Sequence, residues 1–166
     1  ADNTGPGIGI GSPSPAATRN SPVSLTVTYT GAASISLTPA NVALNTTGTA
    51  TGTIAIAGSG LLSRTVTINS VGGDGTLGIS IAAGTALDSL SNPAPAAGPS
   101  ATATVDNTSP SVSISAPSTN LASTGPVTYT ITYGGASNIT LNADNVTLNA
   151  TGNATGAVAV SGSGTT

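Results

Sequence analysis

Seven charged side chains limit the chemistry open to this chain: Asp2, Asp74, Asp88, Asp106, Asp144, Arg19 and Arg64. Its 166 residues contain no His, Cys, Lys or Glu. Acid–base and nucleophilic catalysis usually need a group titrating near neutrality or an activated nucleophile. The many serines and threonines have no base to serve them except Asp, and no Asp sits close in sequence to another. Loops can bring Asp74 and Asp88 face to face, but two carboxylates alone are a poor case for hydrolysis. The chain is therefore expected not to be an enzyme. Transition-metal binding lacks its imidazole and thiolate ligands. Nucleic acid is a poor partner for two arginines and a net charge of −3. Calcium is the one ligand the residue types favour, because it takes Asp, Asn and carbonyl oxygens from irregular loops. The candidate ligands are Asp2 with Asn3, Asp106 with Asn107, Asp74 in a glycine loop, and Asp88 four residues before Asn92. Asp and Asn are also strong turn formers, since their side chains bond nearby backbone. Both readings stay open for all seven residues. Asp144 aligns with Ala40 in the repeat described below, which argues against a role common to both copies.

The elements that must position these residues are strands. Val23, Leu25, Val27 and Tyr29 alternate with Ser24, Thr26, Thr28 and Thr30, the period of a half-buried strand. The same alternation marks Ile35 and Leu37, Ile54 and Ile56, Val66 and Ile68, and Leu77, Ile79 and Ile81. Shorter runs at 8–10 and 101–105 read as the first and last strands. Between them lie the turn formers Gly31, Pro39, Gly58-Ser59-Gly60, Gly72-Gly73-Asp74-Gly75 and Asn92-Pro93-Ala94-Pro95. No apolar period of 3.6 residues is long enough for a helix, and no run approaches the ~20 apolar residues of a membrane span. Seven or eight short strands in about 100 residues predict an all-β sandwich with a thin core of Val, Ile, Leu and Ala. At 37% apolar residues and low net charge the composition does not fit disorder.

The chain also repeats itself. At an offset of 104, residues 2–62 match 106–166 without a gap, with about 29 identities in 61 positions. Asp2-Asn3-Thr4 returns as Asp106-Asn107-Thr108, and Asn41-Val42-Ala43-Leu44-Asn45 as Asn145-Val146-Thr147-Leu148-Asn149. A period near 100 residues suits a tandem array of whole domains. The organisation expected is one complete module over 1–105 and the first part of a second over 106–166. A first residue other than Met reads as a piece of something longer.

The junction Val105-Asp106-Asn107-Thr108-Ser109-Pro110, followed by an alternating strand, resembles the junction between bacterial immunoglobulin-like tandem repeats of giant surface and adhesin-type proteins. Gly73-Asp74-Gly75-Thr76-Leu77-Gly78-Ile79-Ser80 and the stretch 83–92 carry the resemblance further, although Ser91 stands where the family's Asp-x-x-Gly-Asn loop has Gly. The Trp and the cysteine pair of antibody domains are absent. The resemblance implies immunoglobulin-like β-sandwich repeats in an extracellular, cell-surface setting. It further implies that junction and end-loop aspartates share calcium and stiffen the joint. A structural stalk or fibre segment is the function expected. A self-assembling extracellular filament is the alternative, with a neighbouring identical chain completing the second module by β-strand addition. A carbohydrate- or host-protein-binding module comes third, for want of exposed aromatics or a charged cleft. The partners expected are neighbouring repeats or identical chains.

Three smaller patterns remain. Asn45, Asn107, Asn138, Asn145, Asn149 and Asn153 each open an Asn-x-Ser/Thr triplet, which chance supplies readily in so Asn- and Thr-rich a chain. Tyr29, Tyr129 and Tyr133 fall on the inward phase of their strands and are expected in the core. The threonine faces suit a solvated pleat; an ice-binding array is the other reading, and the lack of a short coil period argues against it.

Overall fold

The computed structural model describes residues 2–123 and 125–164. Its contacts divide the chain into two units, Ala1–Thr108 and Ser109–Thr166.

Ten strands build the first unit: β1 Gly7–Ile10, β2 Ala17–Thr18, β3 Val23–Thr30, β4 Ser34–Ile35, β5 Val42–Thr46, β6 Thr51–Ala57, β7 Ser63–Gly72, β8 Gly75–Ile81, β9 Ala86–Leu87 and β10 Ala103–Val105. β2, β4 and β9 are two-residue pieces, leaving seven longer strands. One sheet runs β1-β3-β7-β6, the other β2-β10-β8-β5, with β4-β9 a small ladder of its own. All pairings are antiparallel except β2 with β10. Lettered in chain order, with β1 and β2 the two halves of the first strand and the β4 and β9 pieces set aside, the sheets are ABED and A′GFC. That is the layout of an immunoglobulin-like β-sandwich.

Alternation drives this arrangement. β3 buries Val23, Leu25, Val27 and Tyr29 and turns its serine and threonines outward. β7 adds Val66 and Ile68, and the other sheet contributes Leu77, Ile79, Ile81, Ala103 and Val105. Burying each Val, Leu or Ile stabilises the fold by about 1.5–3 kcal/mol. One polar pair lies inside: the Tyr29 hydroxyl donates to Thr85 Oγ1 at 3.2 Å, and both residues are buried.

The structure departs from the expected strands in three places. β5 was not among the strands expected, although Val42 and Leu44 alternate in it. The strand at Ile35 and Leu37 shrinks to Ser34–Ile35, and a 3-10 turn at Pro39–Asn41 follows, with Leu37 still buried. In β7 the ladder slips between Thr51↔Gly72 and Thr53↔Asn69, so Ser70 and Val71 together oppose Gly52. Ser70 takes φ 52°, and the bulge turns Val71 into the core, out of phase with Ile68.

The second unit has β11, Ser111–Ile114, and β12, Ile131–Gly134, paired antiparallel with Val112 opposite Tyr133 and Ile114 opposite Ile131. At an offset of 104 this is the register of β1 on β3, where Ile8 faces Tyr29 and Ile10 faces Val27. The 3-10 turn returns as Ala143–Asn145, capped by Asn142. Burial does not follow: Tyr129 is 56% exposed where the corresponding Leu25 is 1% exposed. The expectation of a core tyrosine therefore holds for Tyr29 and fails for Tyr129, because nothing among the described residues pairs along β12 as β7 does along β3.

Candidate functional site

The aspartates of the first unit gather at its two ends. β8 runs from Gly75 to Ile81, roughly 20 Å at about 3.3 Å per residue. Asp74 precedes one end of it, and Asp88 follows the loop leaving the other. The structure therefore separates Asp74 from Asp88 instead of bringing them face to face, because the strand between them spans the sandwich.

At the leading end, Asp88 organises its own loop. Its Oδ1 accepts from the backbone N–H of Leu90 at 2.9 Å and of Asn92 at 2.8 Å, and its Oδ2 accepts from the Asn92 amide at 2.9 Å. The same amide donates to the carbonyl of Asp2 at 3.0 Å, tying the start of the chain to the loop. Ser91 takes φ 67°, so this serine occupies the left-handed conformation that glycine adopts at less cost. The Asn92 side chain chiefly holds the Asp88 carboxyl below its usual range; desolvation opposes it, and the N–H groups of Asn92 and Leu90 add to the lowering. Asp2 Oδ1 accepts from Thr4 N at 2.9 Å, and Asn3 is exposed.

The trailing end is closed by a clasp. Gly73 and Asp74 link β7 in one sheet to β8 in the other. Gly73 takes φ 76°, and a Cβ there would run into the Thr49 carbonyl. Asp74 N donates to Thr49 Oγ1 at 3.0 Å. Asn107 then donates twice, its backbone N–H to Asp74 Oδ1 at 2.6 Å and its amide to the Gly73 carbonyl at 2.7 Å. Asp106 N donates to Thr18 O at 3.1 Å, and Asp106 Oδ1 accepts from Thr108 N at 2.9 Å, the turn that Asp2 makes with Thr4.

The sequence candidates thus fall into two sets, Asp2 with Asp88 and Asn92, and Asp74 with Asp106 and Asn107. Asn3 joins neither by a hydrogen bond among the described residues. Calcium takes about six to eight oxygens. At the leading end N–H donors engage both Asp88 oxygens, while at the trailing end Oδ2 of Asp74 and of Asp106 have no hydrogen-bond partner among the described residues. No group of three acidic, His or Cys side chains converges among those residues. Asp74 and Asp106 are the residues of that end with carboxylate oxygen to offer a cation. Thr49, Gly73 and Thr18 were missed by sequence reasoning, because they act through backbone or through contacts distant in sequence. Gly73 alone left a signal, in its glycine-rich turn. Among the described residues no helix is long and apolar enough to cross a membrane. Comparison with protein-family models, with curated proteins and with solved structures gave no match to this chain.

Proposed function

We propose that this chain is a structural, non-enzymatic segment of a stalk or fibre belonging to a large extracellular, adhesin-like bacterial repeat protein. One observation carries the reading. β2 and β10, near the two ends of the first unit, lie side by side and parallel, with Thr104 N donating to Ala16 O at 2.9 Å and Asp106 N to Thr18 O at 3.1 Å. Parallel neighbours enter and leave at opposite ends of the sandwich. A pull along the chain therefore shears these bonds together instead of opening them singly. The clasp of Asn107 on Asp74 and the tie of Asn92 to Asp2 secure the two points where such a load enters. Side chains suited to catalysis are scarce, whereas the hydrogen bonding at both ends is dense.

The test is single-molecule extension of the whole chain. The first unit should unfold in one event that releases about 100 residues, ~330–360 Å of contour at 3.3–3.6 Å per residue. Gradual extension with no discrete event would remove the load-bearing reading. A filament subunit is the second reading, favoured by the exposed apolar face of the second unit.

A further inference from the structure

Within the first unit, β6 is an edge strand that nothing in its sequence protects. It ends the sheet β1-β3-β7-β6 and is seven residues long, against four in β1, five in β5 and two in β2, the other edges. An exposed edge recruits further strands unless charge, proline or a bulge blunts it. β6 has neither charge nor proline, and no charged residue lies between Arg19 and Arg64. The Arg64 guanidinium is turned back onto the carbonyls of Gly60 at 2.9 Å and Ser63 at 2.8 Å. The bulge in the β6–β7 ladder adds its extra residue to β7, not to β6. In an antiparallel ladder, alternate residues turn both N–H and C=O to the same neighbour. Tyr29 N donates to Leu62 O at 2.8 Å, so Arg64, Val66 and Ile68 turn toward β3, and Thr65 and Thr67 toward β6. Ala57 and Ala55 pair with those threonines. Ile54 and Ile56 therefore aim their N–H and C=O groups outward, while their side chains pack against the core. Thr53, Ala55 and Ala57 are exposed.

We infer that β6 pairs with β6 of a second copy of this chain, antiparallel, about a two-fold axis at Ala55. In that register Ile54 of each copy exchanges both backbone bonds with Ile56 of the other. Ala55 meets Ala55, and Thr53 meets Ala57. These are the pairs without backbone bonds, where Cα atoms approach to about 4.5 Å, and side chains this small fit between them. A two-fold contact uses the same patch on both partners. The free groups of β6 are disposed symmetrically about Ala55, so the edge specifies its own copy as the occupant. Two chains of net charge −3 repel in general, and this uncharged edge is where they can approach. The pairing joins two four-stranded sheets into one and sets two chains side by side, running in opposite directions. Thr155-Gly156-Ala157-Val158-Ala159-Val160-Ser161 keeps the alternation and the lack of charge, so the pattern recurs in the sequence of the second unit.

The chain has no cysteine, so one introduced thiol reports one distance. Under mild oxidation, Ala55→Cys in the full 166-residue chain should give a covalent dimer, because the two thiols face each other across the axis within disulfide reach. Ala57→Cys, also exposed, lies opposite Thr53 of the second copy. Its own counterpart is four residues further along, roughly 13 Å away, so it should stay unlinked. Sedimentation of the unoxidised chain supplies the second arm. Ala55→Lys and Ala55→Asp should each weaken self-association roughly five-fold or more, since like charges meet at the axis. Mixing the two variants should restore pairing. No cross-link at position 55, or equal cross-linking at 55 and 57, would overturn the inference. So would self-association that Ala55→Lys leaves intact, which would place the contact on the exposed residues of the second unit. The extension test reads single chains, so this pairing and the load-bearing reading fail separately.

Discussion

Asn107 and Asp74 lie 33 residues apart and are joined at 2.6 Å, backbone N–H to carboxylate, with the Asn107 amide on the neighbouring Gly73 carbonyl at 2.7 Å. The pair closes the trailing end of the sandwich. A segment leaving β10 is thereby fixed to the turn that connects the two sheets.

Replacing Asn107 by Ala removes the amide donor and leaves the Gly73 carbonyl to solvent. The expected cost is about 1 kcal/mol, or roughly 4–8 °C in the midpoint of a domain this size. Thermal unfolding of the first unit measures it. Asn3→Ala, at the corresponding position but without a hydrogen bond among the described residues, should shift that midpoint less, by at most about 2–4 °C, since it removes no such bond.

Tyr29 and Thr85 form a buried pair that can be tested as a cycle. Tyr29→Phe leaves the Thr85 hydroxyl short of a partner and should cost about 1–3 kcal/mol. Adding Thr85→Val removes the unsatisfied group, and most of the loss should return. A double variant less stable than Tyr29→Phe alone would mean that shape, and not the hydrogen bond, governs this position.

Much of the fold is legible in the sequence because alternation is local. Val23 to Tyr29 and Leu77 to Ile81 announce both strand and buried face within a few residues. β5 is harder to read, since Val42 and Leu44 are only two apolar positions before Asn45. Val71 is hidden further, because its inward turn depends on the bulge opposite Gly52. The candidate site is legible only in its residue types. Asp74, Asp106 and Asn107 stand out as loop residues, but their meeting depends on β10 ending beside the turn before β8. Nothing local to either segment records that. The meeting of Asp74 and Asp88 that neighbouring loops could have allowed does not occur, for the same reason: seven residues of β8 lie between them, and an extended strand keeps its ends apart.

Asp88 gives the chain a pH dependence at its leading end. Its carboxyl is held below the usual range by the Asn92 side chain and by the N–H groups of Asn92 and Leu90. A depressed folded-state pKa contributes stability that is fully present above the unfolded-chain value, near 4, and lost as pH falls through the folded value. The midpoint of the first unit should therefore fall on acidification below about pH 4. Asp88→Asn should start lower at neutral pH and fall less steeply. Parallel curves for the two proteins would assign the acid sensitivity elsewhere.

Calcium at the trailing end makes a separate demand. Oδ2 of Asp74 and of Asp106 are the oxygens not taken by hydrogen bonds among the described residues, so a cation held there would need both. Millimolar calcium should raise the midpoint of the chain and chelator reverse the rise, while Asp106→Ala should abolish the difference. Equal midpoints with calcium and with chelator would dismiss the cation and leave the Asn107 clasp as what holds that end.

The parallel pairing of β2 with β10 separates mechanical from thermal stability. Thr104→Pro removes the N–H that reaches Ala16 O at 2.9 Å, on the side of β10 that faces β2. Ile79→Ala instead empties part of the core, where Ile79 is fully buried, and should cost about 2–5 kcal/mol. If β2 and β10 carry the load, Thr104→Pro should lower the unfolding force more than Ile79→Ala does, although it lowers the thermal midpoint less. That inversion follows because force concentrates on the bonds it shears, whereas heat samples the whole fold. Force and midpoint falling in the same order for both variants would place the resistance in the core and remove the mechanical role of the terminal strands.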